Sequence, residues 1–483
     1  MPPFFSLSTR SLMSASVIVF TLSACGSFDA QNAILKVNET IPAFTGGRLE
    51  MVGGSQQFRI QEAKTKDLLT QSREQGLSQN DAVHIALVNN PALQGLLARH
   101  AANGAIAAQS GQIANPLLTL ESIRRGDASD LSRMISFSLV DLLSLSQRQN
   151  LAQSKISEGQ LQMSIEVVNR ITQVRKAWVD AVAAKQSFIY ANQVNDVAQS
   201  SATLAKQMRD AGNFSKLQAA RQQAFYADAF MQFKAAQQRE VSSRENLIRL
   251  LGLTDEQKQM LHLPERLPNL PTAPIDAEKI KDAANAERLD IRLAKIHLEY
   301  AAKRQGLTSL TSWTDVQLSV ARETGSGSSG TRGDVNSLSD AGAKRTTQIS
   351  FSLPLFDQGQ LQRDSMNANT RAASFELESV MRNAASTLRE SYSAYLTSYD
   401  IAQHYHTDVL VLHEQILREN QLRYNGMLVS VFELLDDART QVHGVIAAIQ
   451  AEQDFWLADA ALQAEIIGAP HITSGQDSRN INE

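Results

Sequence analysis

The chain has 483 residues, with 46 Lys and Arg against 50 Asp and Glu. That balance leaves no basic footprint for nucleic acid and no acidic tail. Eleven prolines and 24 glycines are too few for frequent domain breaks, and the single cysteine excludes an internal disulfide or a multi-thiolate metal site. No stretch after residue 25 is long and apolar enough for a membrane-spanning helix. Any crossing of a membrane would therefore need a closed β-barrel, because only helices and closed barrels satisfy every backbone group in lipid.

In chain order, Arg10 precedes an apolar run from Leu12 to Leu22, followed by Ser23-Ala24-Cys25. This resembles a lipoprotein signal: residues 1–24 would be removed, Cys25 would carry the acyl chains, and 25–76 would be an acylated linker. Gly26 stands where an aspartate would signal inner-membrane retention, so the resemblance implies the outer membrane. Several acyl chains hold a protein well where one does not.

Residues 77–275 open with a helix. Pro116–Ile123 and Arg133–Leu139 then alternate apolar and polar residues, which predicts a β-hairpin over 115–140 with two different faces. Such a hairpin suits a wall between lipid and water or a half-buried soluble sheet; the pattern alone does not choose. Long helices follow over 146–252. Val167, Ile171, Val174, Trp178, Ala181, Lys185 and Phe188 recur at heptad spacing. A lone helix of that length cannot bury such a seam, so neighbours are required. Pro264, Pro268, Pro271 and Pro274 break the pattern over 253–275.

Residues 276–470 repeat this grammar: a helix, a hairpin over 313–355, and long helices over 359–467. Residues 471–483 read as a flexible tail. Ile135-Ser-Phe-Ser-Leu139 recurs letter for letter as Ile349-Ser-Phe-Ser-Leu353. The same offset pairs Arg175 with Arg389, Trp178 with Tyr392 and Arg209 with Arg423, and one inserted residue then pairs Ser215 with Ser430. The seam reappears as Met381, Ala385, Leu388, Tyr392, Tyr395, Tyr399 and Ala402. One insertion separates the halves: Gly126–Asp130 faces the longer, Gly- and Ser-rich Thr324–Lys344. Internal duplication explains all of this.

The duplication, the run Ile349–Gly359, and the two helix-turn segments Arg209–Ser215 and Arg423–Asp436 together resemble the outer-membrane factor, or TolC-like, family over roughly Leu77 to Pro470. The resemblance implies a mainly α fold with a small β part. Three protomers would each give four strands to one 12-stranded transmembrane barrel that continues into a periplasmic α-helical barrel, with 253–275 in an equatorial belt. It implies a passive exit duct in the outer membrane, opened by a periplasmic adaptor and an inner-membrane pump. The turns at Gly212, Ser215, Met427 and Ser430 would form the inner tip. Glu433 and Asp436 match the acidic gate positions of the family, and i, i+3 spacing puts both on one helix face, giving stacked carboxylate rings that favour cations. Gln218 and Arg221 hold the equivalent places in the first repeat, and Arg221 is a candidate partner for an acidic tip residue. Gly426-Met427 replaces the expected Ala-Gly, which leaves that turn's geometry open.

No nucleophile elbow, phosphate-binding glycine loop or zinc pattern is present, so neither an enzyme nor a cofactor is expected. His404, His406 and His413 are too poorly aligned on one helix to share a metal. A non-transporting coiled-coil lipoprotein scaffold explains the seams but not the hairpins, and a periplasmic adaptor should carry one long hairpin rather than two. Protein secretion and small-solute efflux are not separable from sequence.

Overall fold

A computed structural model describes residues 28–469, apart from 42–43, 45–47, 52–53, 126–127, 279, 281–287, 312–315, 327–343, 354 and 430. Cys25, Ser430, the C-terminal tail and most of the long insertion lie outside these residues. The chain forms two compact units. Of the described residues, one contains those within 28–30, 100–159 and 293–379, and the other those within 31–99, 160–292 and 380–469.

The first unit holds the sheet. Strands β1 (Leu117–Arg125), β2 (Ala128–Ser138), β3 (Val316–Ser326) and β4 (Lys344–Phe351) form one antiparallel sheet in the order β1-β2-β3-β4. The two predicted hairpins are therefore joined through β2 and β3, which leaves β1 and β4 as edges. Ser138 ends β2 and caps the short helix α1 (Leu139–Leu143), its side chain accepting from the Asp141 amide. Arg148 bonds Asp141 at 2.8 Å and donates to the Ser110 carbonyl, pinning the strand-to-helix corner.

Helix α2 (Leu145–Asp210) runs 66 residues without interruption, roughly 100 Å at 1.5 Å per residue. In the second unit its predicted seam is buried: Val167, Ile171, Val174 and Ala181 are at most 1% exposed. Lys185, the polar interruption, donates its ammonium to the Leu263 carbonyl at 2.6 Å. Helix α3 (Lys216–Leu251) ends at Gly252, whose φ is +69°. A Cβ there would also lie 2.8 Å from the backbone of Asn90, so this left-handed cap requires glycine twice over.

The four prolines of the stretch after Gly252 have no backbone N–H to donate, and side chains from the long helices capture backbone carbonyls of that stretch. Trp456 donates to Pro268 at 3.1 Å, Tyr399 to Pro271 at 3.2 Å and Tyr392 to Ile275 at 3.1 Å. Tyr395, 1% exposed, accepts from the Ile275 amide and packs on Phe455. The helices carrying these rings are α4 (Gln360–His404) and α5 (Val431–Ile467). Between them, α6 (Leu410–Asn425) is separated from α4 by a single π-helical turn, Tyr405–Val409. The sequence reads as unbroken here; the π turn inserts one extra residue into the helical ladder.

Candidate functional site

Antiparallel register places directly paired residues on one face of the sheet, and alternate rows on opposite faces. One face carries Leu118, Ile135, Val320 and Thr347 in a single row. The adjacent row toward the helices has Phe137, Leu318 and Ile349, and the next pairs Val316 with Phe351. The opposite face carries Leu117, Ser136, Ser319 and Gln348 in one row, Thr119, Met134, Ala321 and Thr346 in another, and Glu121, Ser132, Glu323 and Lys344 in a third, so it is the more polar of the two. On that polar face Lys344 pairs with Glu323 at 3.6 Å.

The shielding of the two faces is inverted relative to a soluble sheet. Ser319 on the polar face is 7% exposed, whereas Ile349 and Phe351 on the apolar face are 60% and 62% exposed. Burying serine while presenting phenylalanine to the outside costs free energy in water. It is the arrangement expected when lipid lies outside and water inside. No described helix is long and apolar enough to cross a membrane.

In the second unit, the two predicted tip turns share one geometry. The amides of Gly212 and Asn213 donate to the carbonyls of Arg209 and Met208, and those of Met427 and Leu428 to Tyr424 and Arg423. This is the paired bonding of a Schellman cap. Gly212 has φ +81°. In the second turn Met427, at +59°, takes the left-handed position, and it is the one non-glycine residue with positive φ among the described residues. The early glycine therefore does not change the turn; a methionine bears its strain. Met427 is 93% exposed and Leu428 79%. Ser215 and Gln218 form a capping box at the start of α3, so Gln218 is held by the turn itself.

Glu433 and Asp436 lie in the first turns of α5, and their side chains are outside the described residues; Arg221 lies exposed on α3. Asp437 accepts a hydrogen bond from the Asn420 side chain. Lower on the same helices, Arg439 stacks 4.7 Å from the Phe225 ring and reaches Asp228 at 3.9 Å, tying α5 to α3. His404 bonds Asp408 at 2.9 Å and His406 bonds Glu452.

Three polar clusters escaped the sequence reading. Arg288, 3% exposed at its side chain, forks to Asp290 at 2.9 Å and Glu465 at 2.8 Å, and Thr387 donates to Glu465 at 2.6 Å. Arg175 donates to Gln463 at 2.8 Å, and Gln463 donates in turn to Asp459 at 2.6 Å. Burial pushes the Asp459 carboxyl up to about 6, against the opposing pull of Arg175 and Gln463. In the first unit, His297 bonds Glu158 at 3.1 Å, and Lys155 reaches the same carboxylate at 3.0 Å. The Glu158 bond holds the His297 ring above its ordinary value. For Glu158, burial pushes upward, but its bonds to His297 and Lys155 prevail and hold it below the usual value. These contacts join residues up to 288 positions apart, and no local pattern announces them.

Several solved structures share this architecture. A membrane protein from Pseudomonas aeruginosa superposes with a TM-score of 0.67 at 17% identity, covering 82% of this chain and 92% of its own. The Campylobacter jejuni CmeC outer membrane channel gives 0.67 at 14% identity, covering 81% and 86%. The outer-membrane channel OprN gives 0.66 at 19% identity and covers 97% and 98%. The chain has the outer-membrane factor fold. No family model and no curated protein sequence matches the chain. The outer-membrane factor fold is thus carried here by geometry, with few residues kept identical.

Proposed function

We propose that this chain is one subunit of a passive outer-membrane exit duct for a tripartite efflux or export system. The carrying observation is the sheet's inverted exposure, with Ile349 and Phe351 open on the apolar face and Ser319 buried on the more polar one, together with β1 and β4 as edge strands among the described residues. Four strands cannot close on themselves, because the smallest barrels need about eight. Three copies joined edge to edge would make twelve and leave no edge. The polar face would then line a water-filled bore. The long helices would extend into the periplasm, and acylated Cys25 would anchor each subunit in the outer membrane.

The exposed Met427 and Leu428 support docking of an adaptor at the tip turns, through which an inner-membrane pump would deliver cargo. Glu433 and Asp436 would ring the entrance. Arg221 would hold an acidic tip residue in the closed state, so charge reversal at Arg221 should raise leak. An unchanged closed-state conductance would remove that role.

The barrel is tested by bilayer conductance together with heat-sensitive trimer mobility of the purified protein. Leu318→Lys places a cation on the proposed lipid face, at a cost of about 2–4 kcal/mol per subunit near the midplane; it should abolish insertion and conductance. Ser319→Lys, one residue away on the bore face, should leave a conducting trimer with altered ion selectivity. Equal tolerance of both substitutions, or a non-conducting wild-type protein, would favour a scaffold that transports nothing.

A further inference from the structure

The register assembles a feature that is invisible in either hairpin alone. Arg133 on β2 lies directly opposite Arg322 on β3, and Arg322 directly opposite Arg345 on β4. Three guanidinium groups thus stand side by side on neighbouring strands about 4.8 Å apart. Like charges directly opposite one another destabilise a sheet. All three side chains are exposed, and none has an ion pair or hydrogen bond among the described residues.

Their place on the sheet gives the row a meaning. It lies on the apolar face, one row beyond Leu118, Ile135 and Val320 on the side of the hairpin turns. Arg124 stands on the same face, two rows nearer the turn. The strand residues of this face include no acidic side chain, whereas Glu121, Asp130 and Glu323 all belong to the opposite face. Beyond the row, β4 runs from Arg345 to Phe351, roughly 20 Å of strand. At a strand tilt of 35–45° this rises about 15 Å, within the ~25 Å apolar band of a membrane barrel. The arginines therefore mark the rim of the band at the turn end, opposite the end where Ser138 leads into α1.

We propose that Arg133, Arg322 and Arg345 bind the phosphate groups of lipid A, the phosphorylated glycolipid of the outer leaflet, and fasten it to the outer wall of the barrel. This rests on the barrel reading above, which puts the apolar face in lipid and the hairpin turns outside the cell. Arginine suits the task because its stem lies along apolar surface while its planar fork grips phosphate oxygens in pairs. The phosphates in turn neutralise a row of like charges that the protein leaves uncompensated. Three subunits would supply nine such arginines around the rim.

The test uses the full-length trimer in detergent, with purified lipid A, phosphatidylglycerol and inorganic phosphate as separate probes, read by native mass spectrometry and by the temperature at which the trimer dissociates. Wild type should bind lipid A and gain heat resistance from it. The triple variant R133Q/R322Q/R345Q should lose at least tenfold in lipid A affinity, and R133K/R322K/R345K should fall between. Lys344→Gln, on the bore face, should bind as wild type does. An excess of inorganic phosphate should neither protect the trimer nor displace the lipid. The proposal fails if the triple variant binds lipid A like wild type, if Lys344→Gln loses as much, or if phosphatidylglycerol or free phosphate protects equally well. Unchanged lipid A binding in a triple variant that still conducts would overturn the arginine row alone. A wild-type protein that forms no conducting trimer would overturn the barrel itself.

Discussion

Asp459→Asn should stabilise the protein at alkaline pH and leave it unchanged in acid. The carboxyl lies beside the Arg175–Gln463 pair, and burial raises it to about 6 from an ordinary 3.8. An acid whose folded value is raised binds its proton more tightly in the folded state. Its contribution is therefore fully present below the unfolded value and is lost as pH climbs through the folded one. The shift is about two units, which at 1.36 kcal/mol each amounts to roughly 3 kcal/mol lost above pH 6. Asparagine keeps an oxygen to accept from Gln463 and carries no charge to desolvate, so it escapes that loss. Unfolding entropy scales at ~2.1 cal/mol/K per residue, or about 1 kcal/mol/K for a chain of this size. The gain then amounts to about 3 °C in Tm at pH 8 and none near pH 3.5, read by circular dichroism on protein in detergent. A difference that is the same at both pH values, or a variant less stable at pH 8, would refute the reasoning: Arg175 would then be stabilised by the carboxylate charge by more than burial costs it.

Removing one partner of the buried Arg288 cluster by Arg288→Met should cost about 3–5 kcal/mol, because Asp290 and Glu465 are left as uncompensated charges; the urea midpoint should fall with little change in slope. For the His297–Glu158 pair the two signs define a window. The histidine contribution is complete below its unfolded value and disappears as pH rises through the raised one, while that of Glu158 disappears as pH falls through its lowered value. His297→Gln should therefore flatten the fall of Tm from mildly acidic to neutral pH, and an unaltered profile would show that the pair is idle. Met427→Gly relieves a left-handed methionine and should stabilise the tip by up to ~1 kcal/mol, seen as slower amide exchange over residues 422–428; faster exchange would mean that the side chain holds the turn.

Much of the fold could be read from the chain because its signals are periodic. Alternation gave both hairpins, heptad spacing gave the seam from Val167 to Phe188, and the repeated pentamer gave the order of elements. What was hidden depends on partners far away in sequence. Alternation puts Arg133 and Arg322 on the same side as their apolar neighbours, but only the β2–β3 register sets them side by side. Tyr392, Tyr395 and Tyr399 read as apolar seam residues, yet each also uses its hydroxyl on the backbone of the proline-rich stretch. The π turn at Tyr405–Val409 has no glycine or proline to announce it, and Gly426, one place early, points away from Met427 as the left-handed residue.

The two halves share one seam pattern but not one environment, and the difference bears on assembly. Val167 and Ile171 are 0% and 1% exposed. Their duplicated counterparts on α4, Met381 and Ala385, lie in the open, with Met381 at 52%, and among the seam positions only Tyr395, Tyr399 and Ala402 are buried. Nearer the start of α4, Leu361 and Phe375 are 82% and 65% exposed. Leaving side chains of that size in water forfeits about 1.5–3 kcal/mol each, which a single copy has no means of recovering. The free strand β4 immediately precedes this helix, so the same half of the chain that leaves a row of backbone groups unpaired also leaves its apolar stripe uncovered. Detergent could mask the stripe, but it offers no backbone donors and acceptors to the strand. A second copy would do both, so on the barrel proposed above closure between copies, rather than insertion of a lone subunit, would be the step at which this sequence gains its stability.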